Sequence, residues 1–236
     1  MKHPMFILLL FISFQLNSYL NIVKESIAAK DTCTNPIDPL TIISEGLSLL
    51  KEGDLVVRLT RDPISWCIKN FNRHDKSYSH SGIVLYDHGY PYIYHIVNGE
   101  ENPDEKLRKD SLSHFCNPRK NSAFGIYRYN MNTGEIKKLK ELIHYWYDYG
   151  LQFDSAFNLN TDDRMYCSEM ISKALEKATD KRISIERTQM TKTEAKYFSF
   201  YTHLPFTYTS SLKIVTIDGL YFNPYCHVIK EYKYSN

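Results

Sequence analysis

The chain has 236 residues, of which 43% are hydrophobic and 24% are charged. This composition is typical of a globular protein and is sufficient for one sizeable hydrophobic core. The formal net charge is only +2, and no run of lysine and arginine resembles a basic arm. Bulk electrostatics therefore give no reason to expect a nucleic-acid partner, and we predict none.

The first 29 residues are predicted to be a targeting segment rather than part of the fold. An apolar stretch runs from Met5 to Leu16, and small residues follow at Ala28 and Ala29. This pattern is typical of a signal peptide and favours export to the periplasm or the extracellular space. The alternative is an uncleaved membrane anchor over residues 5–23, although a spanning helix needs roughly 20 apolar residues.

Five cysteines are widely spaced along the chain, namely Cys33, Cys67, Cys116, Cys167 and Cys226. No two of them have C-x-x-C spacing, so neither a zinc knuckle nor a thioredoxin-type site is predicted. An exported chain could form disulfides. Because the number is odd, one thiol must then stay unpaired, and Cys167 is our candidate. The other four could pair in any of about three ways, or not at all.

The first predicted helix begins at Asp38-Pro39, because aspartate is a good N-cap and proline suits the first helical position. An apolar stripe with helical spacing follows, formed by Leu40, Ile43, Leu47 and Leu50. A strand is predicted over 55–59. A second helix is predicted after Asp62-Pro63, where the same start signal recurs.

A β-hairpin is predicted from His80 to Val97, with its turn at Asp87-His88-Gly89. If His88-Gly89 forms a two-residue loop, Gly82 lies opposite His95. His80 and His95 then project from the same face of the hairpin as diagonal neighbours. A slip of one residue would place them on opposite faces.

The second half of the chain continues as a mixture of helices and strands. We predict a short helix over 107–115, a strand over 123–129, a long helix capped by Thr133, a helix at Cys167, a capping box of Thr191 and Glu194, and closing strands over 213–217 and 227–232. No repeat or linker divides the chain, so we expect a single α+β domain over residues 30–236.

Cys167 and His80 are the residues that point to chemistry. An apolar stripe of helical period begins just after Cys167, which places this cysteine in the first turn of a helix. The unpaired backbone amides there favour the thiolate, the reactive form of cysteine. His80 is the candidate general base and acid, and His95 is the candidate that orients the ring of His80.

Other interpretations of the same residues stay open. A cysteine on an apolar helix face is often a small core residue, and a histidine at a strand end often has only a structural part. His80, His95 and Cys167 could instead be three ligands of a zinc ion. The chain could also be an inactive binding module.

Four segments resemble the YiiX/YebB-like family of permuted papain-fold cysteine hydrolases, relatives of the NlpC-type peptidases. They are Gly53–Arg58, Tyr78–Val84, Tyr90–His95, and Phe153-Asp154 together with Asp162–Glu169. The resemblance implies a circularly permuted papain-like fold of the α+β class, with a mostly antiparallel sheet packed against helices. It also implies that Cys167 is the nucleophile and His80 the general base and acid.

His95 departs from the family pattern, because the family commonly has a glutamate at this position. NlpC-type peptidases and lecithin–retinol-acyltransferase-like enzymes often have a histidine there. A histidine can orient His80 through one hydrogen bond, but it compensates the charge of an imidazolium less than a carboxylate does.

The predicted activity is hydrolysis of an amide or ester through an acyl-thioester on Cys167, with no cofactor. The expected substrate is a peptide, an amide or a lipid ester, near the membrane or the cell wall. The alternative with the same residues is transfer of the acyl group to a lipid or an amine. The sequence does not specify the oligomeric state.

Overall fold

The computed structural model describes residues 38–99 and 102–235. Residues Pro39–Asn236 form one compact unit. The predicted signal peptide or anchor, as well as Cys33, lies outside the described residues, so those expectations stay predictions. Within the part of the chain that is described, no helix has both the length and the apolar character needed to cross a bilayer.

An antiparallel six-stranded sheet forms the centre of this unit. Its strands, in spatial order, are β10 (Cys226–Lys233), β5 (Asn121–Tyr129), β1 (Leu55–Thr60), β2 (His80–Asp87), β3 (Tyr90–His95) and β4 (Arg108–Asp110). Two small pairs lie outside this sheet. They are β6 (Gln152–Phe153) with β7 (Arg164–Met165), and β8 (Thr188–Gln189) with β9 (Lys213–Ile214).

Helices connect and cover these strands. They are α1 (Pro39–Leu49), α2 (Pro63–Lys69), α3 (Leu112–Phe115), α4 (Thr133–Tyr149), α5 (Cys167–Ala178), α6 (Lys192–Thr202), α7 (Phe206–Thr209) and α8 (Ile217–Tyr221). The α+β class, with a mostly antiparallel sheet packed against helices, is thereby confirmed.

The two faces of the sheet bury two different sets of side chains, because successive residues of a strand point to opposite faces. In β1, Leu55 and Val57 pack with the buried residues of α4 and α5. Val56, between them, packs on the other face with α1 and α3. Both faces are therefore covered by helices, and β1 is buried along most of its length.

The hairpin register is the one predicted from the sequence. Asp87 pairs with Tyr90 and Ile83 pairs with Tyr94. His88 and Gly89 both have positive φ, at 49° and 86°, as a two-residue hairpin turn of type I′ requires. This register carries His80 and His95 to the same face.

Two predicted helical features differ in the structure. In α1 the buried residues are Ile42, Ile43 and Gly46, whereas Leu40 and Leu47 are 76% and 45% exposed. Ile43 and Leu50 of the predicted stripe are buried as expected, but the buried face also includes Ile42 and Gly46 in place of Leu40 and Leu47. The long helix α4 does begin at Thr133, but its N-cap is Asn132, which forms a capping box with Glu135.

Two other segments were assigned to the wrong kind of element. The predicted helix over 107–115 is the strand β4 followed by the one-turn helix α3. The predicted strand over 213–217 is only two residues long, and Ile217 begins the helix α8. Three-residue strands and one-turn helices are too short to display a period, so pairing with neighbouring elements decides their form.

The cysteines that the structure describes are free thiols, namely Cys67, Cys116, Cys167 and Cys226. Disulfides among Cys67, Cys116 and Cys226, which the sequence left open, are therefore absent. Cys67 and Cys116 are buried core residues, and Cys226 is half-buried.

We predict that Gly82→Ala destabilises the protein by roughly 1–3 kcal/mol, as overpacking does in a well-filled core. A Cβ atom on Gly82 would lie 2.5 Å from Cγ2 of Ile93 and 3.2 Å from Cβ of His95. The space opposite His95 is thus already filled. Urea unfolding measures the change in the free energy of unfolding.

Gly134→Ala, in the first turn of α4, is the control, because its Cβ atom would meet a single atom, the side-chain oxygen of the N-cap Asn132, at 3.2 Å. It should change the free energy of unfolding by no more than about 1 kcal/mol. Equal effects of the two substitutions would show that the close packing over Gly82 is unimportant.

Candidate active site

Cys167 is the first residue of α5, as predicted from the sequence. The backbone amide of Tyr166 donates to the Glu169 carboxylate at 3.2 Å, which fixes the helix start. Two bonds to Val215 hold the same turn: the Tyr166 hydroxyl accepts from the Val215 amide at 2.8 Å, and the Ser168 hydroxyl donates to the Val215 carbonyl at 2.7 Å. The position of Cys167 is therefore fixed by a hydrogen bond within the helix start and by two hydrogen bonds to Val215.

The body of α5 is buried against the sheet and α4. The side chains predicted to face inward are all buried, namely Met170, Ile171, Ala174, Leu175 and Ala178. Glu169 is buried as well and pairs with Lys173 at 2.8 Å. Its carboxylate is thus part of the helix start, and it does not replace His95.

His80 is the first residue of β2, and the loop before it is held by Asp218. One carboxylate oxygen of Asp218 accepts hydrogen bonds from the backbone amides of residues 73–75, at 2.7, 2.5 and 3.2 Å. Asn72 links the same loop to α8, since its side-chain oxygen accepts from the Ile217 amide at 3.1 Å. The start of the histidine strand is thereby tied to a segment about 140 residues later in the chain.

A chain of hydrogen bonds runs from His80 into the sheet. Nε2 of His80 lies 3.0 Å from Nδ1 of His95, and Nε2 of His95 lies 2.9 Å from a carboxylate oxygen of Asp110. The other oxygen of Asp110 accepts from the Arg108 guanidinium at 2.7 Å. His80, His95 and Asp110 are all buried, and both histidine rings contact Phe115.

Burial and nearby charge keep both imidazoles neutral. Burial and the positive charge of Arg58 place the pKa of His80 well below its usual value. Burial also lowers the pKa of His95 to about 4, although Asp110 acts in the opposite direction. Burial alone would raise the pKa of Asp110, but His95 and Arg108 outweigh it and lower that pKa to about 2.

The Cys167 thiol is also neutral near pH 7. Burial raises its pKa, against the opposing effect of the Ser81 hydroxyl and amide and of the amides of Ser168 and Cys167 itself. The helix start was expected to favour the thiolate, and burial outweighs that contribution. The candidate site therefore holds a thiol and an imidazole rather than an ion pair, and the sulfur could act as a nucleophile only if a base removed its proton.

Cys167 and His80 line the same cavity, which has a volume of about 850 Å³. The structure brings His80 and His95 into direct contact, whereas Cys167 forms no hydrogen bond to His80. Apolar side chains such as Phe71, Phe157 and Phe198 form one part of the lining, and charged side chains such as Arg61, Asp62 and Lys120 form another. A cavity of this size and character accommodates a small organic substrate or one segment of a larger one.

The zinc alternative does not fit this geometry. Both ring nitrogens of His95 are used in hydrogen bonds, one to His80 and one to Asp110. His95 therefore has no lone pair directed at a shared point with His80 and Cys167. Over residues 38–99 and 102–235, no group of three or more His, Cys, Asp and Glu side chains is arranged to hold a metal ion.

Asp110 is the residue of this site that the sequence reasoning missed. It lies in the segment assigned to a helix, where its side chain would not have been expected beside His95. In the structure Asp110 pairs with Ile93 across β3 and β4, so it is a diagonal neighbour of His95 on the same face. If Arg108–Asp110 had been predicted as a strand beside the hairpin, Asp110 would have been expected next to His95.

Comparison with known proteins identifies a family and similar solved structures, and one comparison found nothing. Residues 49–216 match the family model described as permuted papain-like amidase enzyme, YaeF/YiiX, C92 family. Among solved structures, the chain is similar to the crystal structure of metalloprotein yiiX from Escherichia coli O157:H7, with a TM-score of 0.62 and 16% identity over 78% of this chain and 98% of that one. None of the curated proteins matches the sequence.

The similar structure supports the fold, and the family model names an amidase. The circularly permuted papain-like fold expected from the resemblance is thereby confirmed. The comparisons do not favour the acyltransferase or binding-module alternatives.

We predict that the free energy of unfolding falls as the pH is lowered from 7 to 4.5, partly because of His95. Its pKa of about 4 in the folded state lies below the ordinary value of 6.5, so the unfolded chain binds more protons between these values. Stability that is complete above about pH 6.5 is then lost at up to about 1.4 kcal/mol per pH unit.

The measurement compares urea unfolding of the wild type and of His95→Gln at several pH values. The difference in slope reports His95 together with its hydrogen-bond partners His80 and Asp110. It excludes Glu169, whose pKa is raised to about 7 by burial and which acts in the opposite direction. His227→Ala, at an exposed position, is the control. A slope for His95→Gln equal to that of the wild type would contradict the prediction.

Proposed function

The chain belongs to the permuted papain-like amidase family, and we propose on this basis that it hydrolyses an amide or ester bond with Cys167 as nucleophile and His80 as general base and acid. The observation that carries the proposal is that the first residue of α5 and the first residue of β2 line one cavity. The contact of His80 with His95 supports it further, because it orients the imidazole.

The proposed reaction begins with neutral groups. As the Cys167 sulfur attacks the carbonyl carbon of the substrate, its proton passes to Nδ1 of His80, the ring nitrogen not bound to His95. Backbone amides at the start of α5 are suited to stabilise the oxyanion. When the tetrahedral intermediate collapses, His80 returns the proton to the leaving amine or alcohol, and an acyl-thioester remains.

Water completes the cycle. His80 accepts a proton from a water molecule whose oxygen attacks the thioester carbonyl, and a second tetrahedral intermediate forms. Its collapse breaks the carbon–sulfur bond and releases a carboxylic acid, and the thiol regains its proton from His80. No metal is required at any of these steps. The similar structure is described as a metalloprotein, but the donors of this site do not converge on one point.

We predict that iodoacetamide alkylates Cys167 faster than the other described cysteines at pH 7, and that His80→Ala slows this reaction by about 10²-fold, the size of a general-base contribution. The reason is that the buried thiol depends on a base for its reactivity. Mass spectrometry of the alkylated peptides gives the rate at each position.

Cys116 and Cys67 serve as internal controls, since burial raises the pKa of each thiol. The matched variant is His227→Ala, which removes an exposed histidine from β10. Labelling of Cys167 that is no faster than that of Cys116, or that is unaffected by His80→Ala, would refute the proposed pair.

The apolar side chains in the cavity lining, among them Phe157 and Phe198, favour a substrate with an apolar group next to the bond that is cleaved. We predict that kcat/KM for p-nitrophenyl esters rises at least about tenfold from acetate to octanoate, because each buried CH₂ group contributes about 0.8 kcal/mol. Phe198→Ala should reduce this preference, since Phe198 lines the cavity. Tyr145→Ala, at an exposed position on α4, is the control. Equal kcat/KM for both esters would contradict the prediction.

A further inference from the structure

We propose that Asp110 is a positioning residue that acts through His95 to hold the proton of His80 on Nε2, which leaves Nδ1 of His80 as the base for Cys167. This inference rests on the proposed function of Cys167 and His80. It adds a residue that lies two hydrogen bonds away from the His80 ring and does not touch the reacting atoms.

The hydrogen-bond chain determines the tautomer of each ring. An ionised carboxylate can only accept a hydrogen bond, so Nε2 of His95, 2.9 Å from Asp110, must carry a proton. Neutral His95 then has a lone pair on Nδ1. That lone pair accepts from Nε2 of His80 at 3.0 Å, so the unprotonated nitrogen of His80 is Nδ1.

The surroundings of Asp110 support its ionised form. Arg108, on β4, donates to one carboxylate oxygen at 2.7 Å and 3.2 Å. His114, on α3, has Nε2 at 3.8 Å from the other oxygen. The hydrogen bonds and charges of His95 and Arg108 hold the pKa of Asp110 at about 2 despite its burial.

Asp110 also supplies negative charge where the site needs it. Arg58, on β1, pairs with His80 across the strands, and its charge disfavours an imidazolium at His80 and at His95. The proposed reaction creates such an imidazolium at His80. At His95, Asp110 partly offsets the effect of Arg58. We infer that this negative charge reaches His80 through the hydrogen bond between the two rings.

Asp110→Asn is the variant that separates this role from simple packing. The asparagine oxygen must face the N–H donors of Arg108, so its NH₂ group faces Nε2 of His95. That nitrogen must then accept, and the protons of both rings move from Nε2 to Nδ1. His80 would present an N–H group to Cys167, and its ability to accept the thiol proton would be lost.

The first measurement needs no substitution at Asp110. Nitrogen-15 NMR of histidine-labelled wild-type protein at pH 7, assigned with His80→Gln and His95→Gln, should show protonated Nε2 and unprotonated Nδ1 at both rings. A protonated Nδ1 at either ring overturns the proposal. This readout stays decisive even if Asp110→Asn does not fold.

The second measurement follows the rate of Cys167 alkylation by iodoacetamide from pH 5 to pH 9. We expect Asp110→Asn to lower the rate at pH 7 by about 10- to 100-fold, less than the loss of a directly bound orienting carboxylate, and to move both histidine protons to Nδ1. The matched control is Asp87→Asn, which alters a carboxylate of the same sheet that pairs with Lys109 at 2.7 Å. It should change the rate less than about twofold, as expected for a group outside the site.

The outcomes separate this inference from the function on which it rests. If His80→Ala leaves Cys167 alkylation unchanged, the proposed function fails. If His80→Ala slows alkylation but Asp110→Asn does so no more than Asp87→Asn, or leaves both tautomers as in the wild type, only the role of Asp110 fails.

Discussion

The register of the β2–β3 hairpin is the constraint on which the candidate site depends. A two-residue turn with two left-handed residues, His88 and Gly89, allows only one pairing of the strands. Because side chains alternate between faces, that pairing decides that His80 meets His95. The next strand of the sheet, β4, pairs with β3 in the same antiparallel way and brings Asp110 to His95. Three polar side chains far apart in sequence thus become a single hydrogen-bonded line through the geometry of antiparallel pairing.

Burial then determines the electrostatic character of this line. An exposed papain-like pair could exist as thiolate and imidazolium, but both Cys167 and His80 lie out of water, where charged forms are costly. Arg58 adds a positive charge beside the imidazoles and strengthens the preference for neutral rings. The candidate site therefore holds neutral groups rather than a preformed ion pair.

Much of the fold and part of the site follow from local sequence patterns. The start of α5 at Cys167 and the hairpin register are set by short-range rules, namely an apolar stripe and a turn sequence. The form of residues 107–115 is not, because β4 has three residues and exists only through its pairing with β3. For this reason the sequence pointed to His80 and His95 but not to Asp110. The buried face of α1 was predicted only in part, because Leu40 and Leu47 have the same helical spacing as the buried Ile43 and yet are exposed.

The anchoring of the histidine strand by Asp218 has a consequence for biosynthesis. Protein chains emerge from the ribosome in order, N-terminus first. The loop before His80 and the turn at Cys167 both depend on contacts with the segment from Val215 to Asp218. When His80 and Cys167 have already left the ribosome, the nascent chain still lacks the residues that fix their positions. The loop before His80 and the turn at Cys167 consequently cannot reach their final positions until the segment up to Asp218 has been synthesised.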